Sequence, residues 1–296
     1  MNQSGHSLLL ARALDLDQHD WANHFLQLPV RDQAFNFTVR NGPNTPRDFD
    51  FHDRLRRHRA IVEQRLSRLG AEIDEIKEET DYAFRVALRY DGDLKTLADL
   101  VEDVPDCEVL SLGHSLEIIK DLSDAESVAE RYRLNGFTGT HAIGHVRMAT
   151  ESDVDISGAH PYWAYPFSDI AVVHNGQLTN YHMWRRRLER LGHRFQSECD
   201  SEIIAVYLAQ KMDGGLSLET AMKQSLDELD GVFTYLVVTS DSLGVAKDEM
   251  AAKPLVLYES PELVALASEE VAIRAVIGHE IDTYDPYERE VLVWHL

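Results

Sequence analysis

Apolar and polar positions alternate most cleanly over residues 82–90. Tyr82, Phe84, Val86, Leu88 and Tyr90 interleave with Ala83, Arg85, Ala87 and Arg89, the two-residue period of a half-buried strand. Upstream, Leu55, Val62, Leu66, Leu69 and Ile73 fall on one stripe at helical spacing, which predicts a single helix over residues 48–76. Arg54, Arg56, Arg57, Arg59, Arg65 and Arg68 line its other faces. In so acidic a chain a solvated amphipathic face explains them better than an anion-binding arm. Asp91-Gly92-Asp93 turns the chain, and a helix over 94–102 and a strand over 107–112 follow. Residues 14–47 have no clean period, and Asn41-Gly42-Pro43-Asn44-Thr45-Pro46 is a strong breaker cluster. Residues 7–13 are an apolar run read as a short strand.

Past residue 120 the pattern changes. Residues 123–133 read as a helix that stops at Asn135-Gly136. Strands are predicted at 138–146 and 170–174. Helices are predicted at 179–191, with Trp184, Leu188 and Leu191; at 200–212, with Ile203, Ile204, Tyr207 and Leu208 as the buried side; and at 217–229. Strands then crowd together at 232–239, 243–247, 254–258, 263–267 and 290–295. Strand-rich and helix-rich runs are partly segregated, which points to an α+β fold of two sheets covered by helices rather than an alternating parallel α/β fold.

Composition narrows the function classes. Hydrophobic residues make up 44% of the 296 and charged ones 27%, as in a globular protein with a full core. Lys plus Arg is 29 against 51 Asp plus Glu, a formal net charge of −22, which argues against sequence-independent nucleic-acid binding. No apolar run approaches the length of a membrane span, and the start lacks the features of a signal peptide. Two cysteines, Cys107 and Cys199, make no disulfide framework. The expectation is a reduced, cytoplasmic protein. Cys107 reads as a small buried filler, and Cys199 as a small residue at a helix start.

Candidate chemistry gathers in residues 138–203. Gly144-His145-Val146-Arg147-Met148-Ala149-Thr150 comes first, then Val173-His174-Asn175-Gly176 running on to Asn180-Tyr181, then Asp200-Ser201-Glu202. An arginine can fork onto a carboxylate. An Asn-Gly turn can aim an amide and a backbone N–H at one point. An aspartate opening a helix can accept from an ammonium. Singly these signals have plain structural readings: a surface arginine, a turn, an N-cap. Together, in this order, they suit a small zwitterion.

These strings resemble the class II glutamine amidotransferases, which are N-terminal-nucleophile hydrolases, and are most similar to the stand-alone subunits of glutamate-synthase-type and methylglutamate-synthase-type complexes. Lys253-Pro254 and Ala267-Ser268-Glu269 also fit. The resemblance implies a four-layer α-β-β-α sandwich forming one domain over 1–296, with a poorly matched helical and β-α-β insertion at about 14–135. It implies glutamine hydrolysis by a cysteine thiolate, with ammonia passed to a synthase partner subunit, a flavin-dependent glutamate-synthase-like chain being the partner it suggests. No cofactor or metal is implied for this chain itself. Carried over residue by residue, Arg147 would clamp the α-carboxylate beside Thr150, Asp200 would take the α-ammonium, Asn175 and Gly176 would form the oxyanion hole, and His174 would support them. His145 and His160 read as packed or hydrogen-bonded.

One departure matters. The family opens its mature chain with Cys-Gly-Ile, whereas this sequence opens Met1-Asn2-Gln3-Ser4-Gly5. The favoured expectation is a sequence short at its start, lacking the domain's first strand and helix. The competing one is a non-catalytic glutamine-binding or regulatory subunit of the same fold.

Overall fold

The computed structural model describes residues 8–10, 34–41, 51–80, 83–121, 123–146 and 158–295. It divides into two units, Met1–Ala13 with Ile118–Leu296, and Leu14–Glu117. The apolar run near the start supplies β1 (Leu8–Leu10) to the first of them.

The middle unit contains β2 (Ala34–Asn41), α1 (Phe51–Leu69), β3 (Glu72–Thr80), β4 (Ala83–Arg89), α2 (Leu94–Glu102) and β5 (Cys107–Gly113). Its four strands lie in the order β3-β4-β2-β5, each pairing antiparallel. A β-α-β-β-α-β chain in that order has the split β-α-β topology of ferredoxin-like domains. The predicted alternation is real: Phe84, Val86 and Leu88 are buried, and so are Leu55, Val62 and Leu66 on the helical stripe. Arg65 of the arginine row donates to Leu100 O at 2.8 Å, near the end of α2.

Two expectations for this unit need correction. The first helix does not reach residue 76. Gly70 takes φ +86°, the left-handed conformation that ends helices, and Ala71 N–H turns back to Leu66 O at 3.0 Å. Ile73 and Ile76 therefore belong to β3. The second correction is β2, which lies in the stretch that shows no period. Its register against β5 shifts between Thr38 and Val39, and such an irregularity breaks a two-residue alternation where it would be read.

The flanking unit continues with α3 (Ala125–Arg131), a 3-10 turn at Leu134–Gly136, β6 (Tyr162–Trp163), β7 (Ala171–Leu178), α4 (Tyr181–Arg190), α5 (Asp200–Asp213), α6 (Leu218–Glu228), β8 (Gly231–Val238), β9 (Ser242–Lys247), β10 (Val256–Glu259), β11 (Val264–Ala267), α7 (Glu270–Arg274) and β12 (Val291–His295). The strands form two antiparallel sheets, β12-β9-β8-β7-β6 and β1-β11-β10. Helix α5 packs on β6 and β7, α6 on β9 and β12, and α7 on β10 and β11.

Each sheet is also buried on the face away from its helices. Val173, Leu236 and Val245 stand in one row across β7, β8 and β9, opposite the helix side, and all are buried. In the smaller sheet Ala265 and Ala267 pack with Ile273 and Ile277. Leu257 and Leu266 pair on the opposite face, and neither is exposed. Sheet faces sealed on both sides between outer helices make the four-layer α-β-β-α sandwich that the resemblance implies.

Residues 138–146 are not the predicted strand: they join neither sheet. The unanticipated β6 pairs with Ala171 and Val172 at the end of the five-stranded sheet. His141 instead ties the segment to Thr239 O through its Nε2 at 2.8 Å. Among the described residues no helix is long and apolar enough to cross a membrane.

Candidate functional site

Strand β7 does not end at an Asn-Gly turn. Asn175 pairs with Thr234 and Gly176 with Phe233, and the ladder runs on to Leu178 opposite Gly231. The two backbones crowd each other here. A Cβ on Gly176 (φ +145°) would sit 2.1 Å from Val232 O, and one on Gly231 (φ +157°) would sit 2.2 Å from Gln177 O. Glycine is required at both positions by close approach.

That ladder aims the Gly176 N–H. Phe233 gives both backbone bonds to the other side, its O accepting from Asp248 N at 3.0 Å and its N–H donating to Asp248 Oδ2 at 2.6 Å. Gly176 is then half of a non-hydrogen-bonded pair, and its N–H points away from β8. Along the same edge, Leu178 N–H donates to Asp200 Oδ2 at 2.7 Å. Asp200 thus opens α5 without capping it; its carboxylate lies along the β7 edge that carries the Gly176 N–H. Asp200 Oδ1 stands 3.8 Å from His174 Nδ1 and 3.7 Å from Cys199 Sγ.

Behind the carboxylate is a buried polar relay. Ser201 Oγ lies 2.8 Å from His174 Nδ1 and 2.9 Å from His160 Nε2, so the hydroxyl can donate to one ring and accept from the other. The His160 ring lies 4.1 Å from that of His145, centroid to centroid. Burial lowers the pKa of His174; Asp200 pulls it upward, and Lys253 adds to the lowering. The imidazole is therefore neutral at pH 7. Glu202, one turn into α5, accepts from Gln196 N, Ser197 N and Ser197 Oγ at 2.7–2.9 Å. Burial still pushes its carboxyl upward, against those donors. Its bonds fix the approach to α5, and two acids in the first turn suit the positive end of the helix.

The sequence-predicted residues divide as follows. His174, Gly176 and Asp200 come together at one strand edge. Asn175 alternates to the opposite face of β7, level with Thr234. Arg147 and Thr150 lie outside the described residues. Cys199 is the residue before α5. Cys107 is buried, and burial pushes its thiol up to about 12. No pattern in the sequence marks Ser201 and His160 as bridging partners, or Lys247 and Asp248 as buried; the motif Asp200-Ser201-Glu202 carries the one signal for Ser201.

Residues 145–275 match a glutamine amidotransferase domain family. A protein of Methanothermobacter thermautotrophicus, provisionally named a glutamine amidotransferase, is 42% identical over 229 residues, covering 76% of this chain and 75% of its own length. The chain belongs to the glutamine amidotransferase family. The glutamine amidotransferase-like protein GlxB of Rhizobium meliloti is 41% identical over 169 residues, 57% of this chain and 56% of that one. The chain thus spans little more than half of this second relative. A solved glutamine PRPP amidotransferase from B. subtilis, complexed with ADP and GMP, is 20% identical with a TM-score of 0.46, over 88% of this chain and 46% of that chain. The amidotransferase match runs across the whole site, from His145 through His174 and Asp200 to Lys253.

Proposed function

We propose that this chain is the glutaminase component of a class II glutamine amidotransferase, binding glutamine and delivering its amide nitrogen as ammonia to a synthase subunit. In this reading Asp200 Oδ1 receives the α-ammonium of glutamine, and Arg147 with Thr150 holds the α-carboxylate. Asn175 and the Gly176 N–H receive the negative charge that forms on the amide oxygen. His174 stays neutral and, through Ser201, holds the edge of β7 against α5. The observation that carries the reading is the meeting of the Asp200 carboxylate and the Gly176 N–H along one edge of β7, where Leu178 N–H anchors Oδ2 and Oδ1 lies 3.8 Å from His174 Nδ1 and 3.7 Å from Cys199 Sγ. A flavin-dependent glutamate-synthase-like partner is the acceptor subunit this reading favours.

The nucleophile separates this reading from its alternative, a glutamine-binding subunit without catalysis. Neither Cys107 nor Cys199 has the free α-amine that serves as base in the family, so neither is assigned the role. Calorimetric titration with glutamine tests the pocket that both readings share. Asp200→Asn keeps the acceptor for Leu178 N–H but removes the charge. It is expected to weaken glutamine binding by about tenfold or more, the worth of one charge-assisted hydrogen bond. Equal affinities for the variant and the parent would remove Asp200 from the pocket and the reading with it.

A further inference from the structure

The face of the five-stranded sheet turned away from α5 and α6 is built in rows. Ala171, Val238 and Leu243 form one row, and Val173, Leu236 and Val245 the next; all six are buried and apolar. The third row is Asn175, Thr234 and Lys247. It is polar, yet Thr234 and Lys247 are only 5% and 4% exposed. Thr234 Oγ1 donates to Lys253 O at 3.3 Å. Among the described residues the Lys247 ammonium has no hydrogen bond and no ion pair. The carboxylate next to it in sequence is already committed, Asp248 Oδ2 to Phe233 N–H and Oδ1 to Ala251 N–H, each at 2.6 Å.

Burying most of a lysine side chain in such a face costs free energy, and an apolar residue would complete the face as the two neighbouring rows do. We propose that Lys247 is a specificity-determining cation of the glutamine pocket, placed to hold the γ-carboxylate of the product glutamate. The inference rests on the proposed function. Glutamine and water give glutamate and ammonium: the amide C–N bond breaks, a C–O bond forms from water, and the leaving nitrogen takes up the protons. A neutral amide thereby becomes an anion beside Asn175. Asn175 lies two strands from Lys247, roughly 10 Å at the backbone by strand spacing, a gap that a lysine side chain and a carboxylate span together. Glutamine, uncharged at that end, gains little from the cation; glutamate gains a charge-assisted bond.

The test is calorimetric titration of glutamine and glutamate into the parent chain, Lys247→Met and Lys247→Arg, with the melting temperature of each protein recorded without ligand. Lys247→Met is expected to weaken glutamate at least about tenfold and glutamine less than about threefold, with Lys247→Arg retaining most of the glutamate affinity. The unliganded methionine variant is expected to melt no lower than the parent, because an unpaired lysine on a mostly apolar, buried face gives way to an apolar side chain. Equal losses for both amino acids, no loss for either, or a lower melting temperature with an unchanged affinity ratio would each overturn the role. A parent chain that binds neither amino acid would overturn the proposed function, and this inference with it.

Discussion

The two units of the chain handle polar groups in opposite ways. Among the side chains of the middle unit whose burial is described, Ser111 is the one buried polar one, while basic side chains and carboxylates pair at the surface, as in Arg89 with Asp74 and Lys95 with Asp99. The flanking unit buries Lys120, His160, Asp169, His174, Ser201, Glu202, Lys247 and Asp248 beside its apolar core. Surface pairs of the first kind contribute little to stability. Buried groups of the second kind carry a desolvation cost that packing alone does not justify. The contrast separates a unit held together by its hydrophobic alternation from one that keeps costly polar groups inside its core.

The strongest way to break that comparison is Gly176→Ala. The new Cβ would meet Val232 O at 2.1 Å, against backbone rather than a movable side chain, and the residue would keep φ +145°. Overpacking and backbone strain together predict a loss of about 3 kcal/mol or more. The loss is expected in the amides of β7 and β8, read by hydrogen exchange, with those of β4 and β5 unchanged. A variant whose β7 and β8 amides exchange as slowly as the parent's would refute the crowding argument.

That glycine also shows what the sequence could not say. Asn175-Gly176 has the local signature of a turn, and the reason for the glycine is the backbone of Val232, which only strand pairing brings near. The row of Asn175, Thr234 and Lys247 is invisible for the same reason, since register decides it. Local features are legible. The Asp200 helix start, the alternation of Phe84, Val86 and Leu88, and the helix over 94–102 depend on neighbours within a turn or two. The helix expected over 48–76 overruns because Ile73 continues the stripe by chance, while Gly70, the actual stop, lies inside it. Residues 138–146 carry a strand pattern, but they pair with no strand, and it is β6 that pairs with Ala171 and Val172 of β7.

A smaller effect sharpens the comparison through pH. The folded pKa of His174 is depressed below an unfolded value near 6.5 by burial. Its contribution to stability is then fully present above about pH 6.5 and is lost as pH falls from there toward the folded value. Each pH unit of that descent costs up to about 1.4 kcal/mol. Glu202 has the opposite sign: its raised folded pKa favours the protonated form, and that contribution fades as pH rises. The informative quantity is therefore the difference between the parent and His174→Gln, in which Glu202 cancels. Between pH 7.5 and 5.5 the parent is expected to lose more stability in chemical denaturation than the variant. Parallel pH profiles would mean that His174 is not held neutral.

The smallest effect falls in the middle unit. Asp93 caps α2 from an extended conformation, φ −70° and ψ 122°, and its Oδ2 accepts from Thr96 N at 2.8 Å and from Thr96 Oγ1 at 2.7 Å. Those bonds hold its carboxyl below the usual range, as expected for a charged acceptor at a helix start. Asp93→Ala leaves the first N–H groups of α2 to water and is expected to cost about 1 kcal/mol. If the middle unit is a scaffold in its own right, that loss is confined to the exchange of its own amides, those of α2 and β5 first, and glutamine affinity is unchanged. A drop in glutamine affinity from a cap so far along the chain from Asp200 would tie the two units energetically. The division between the two units would then have to be redrawn.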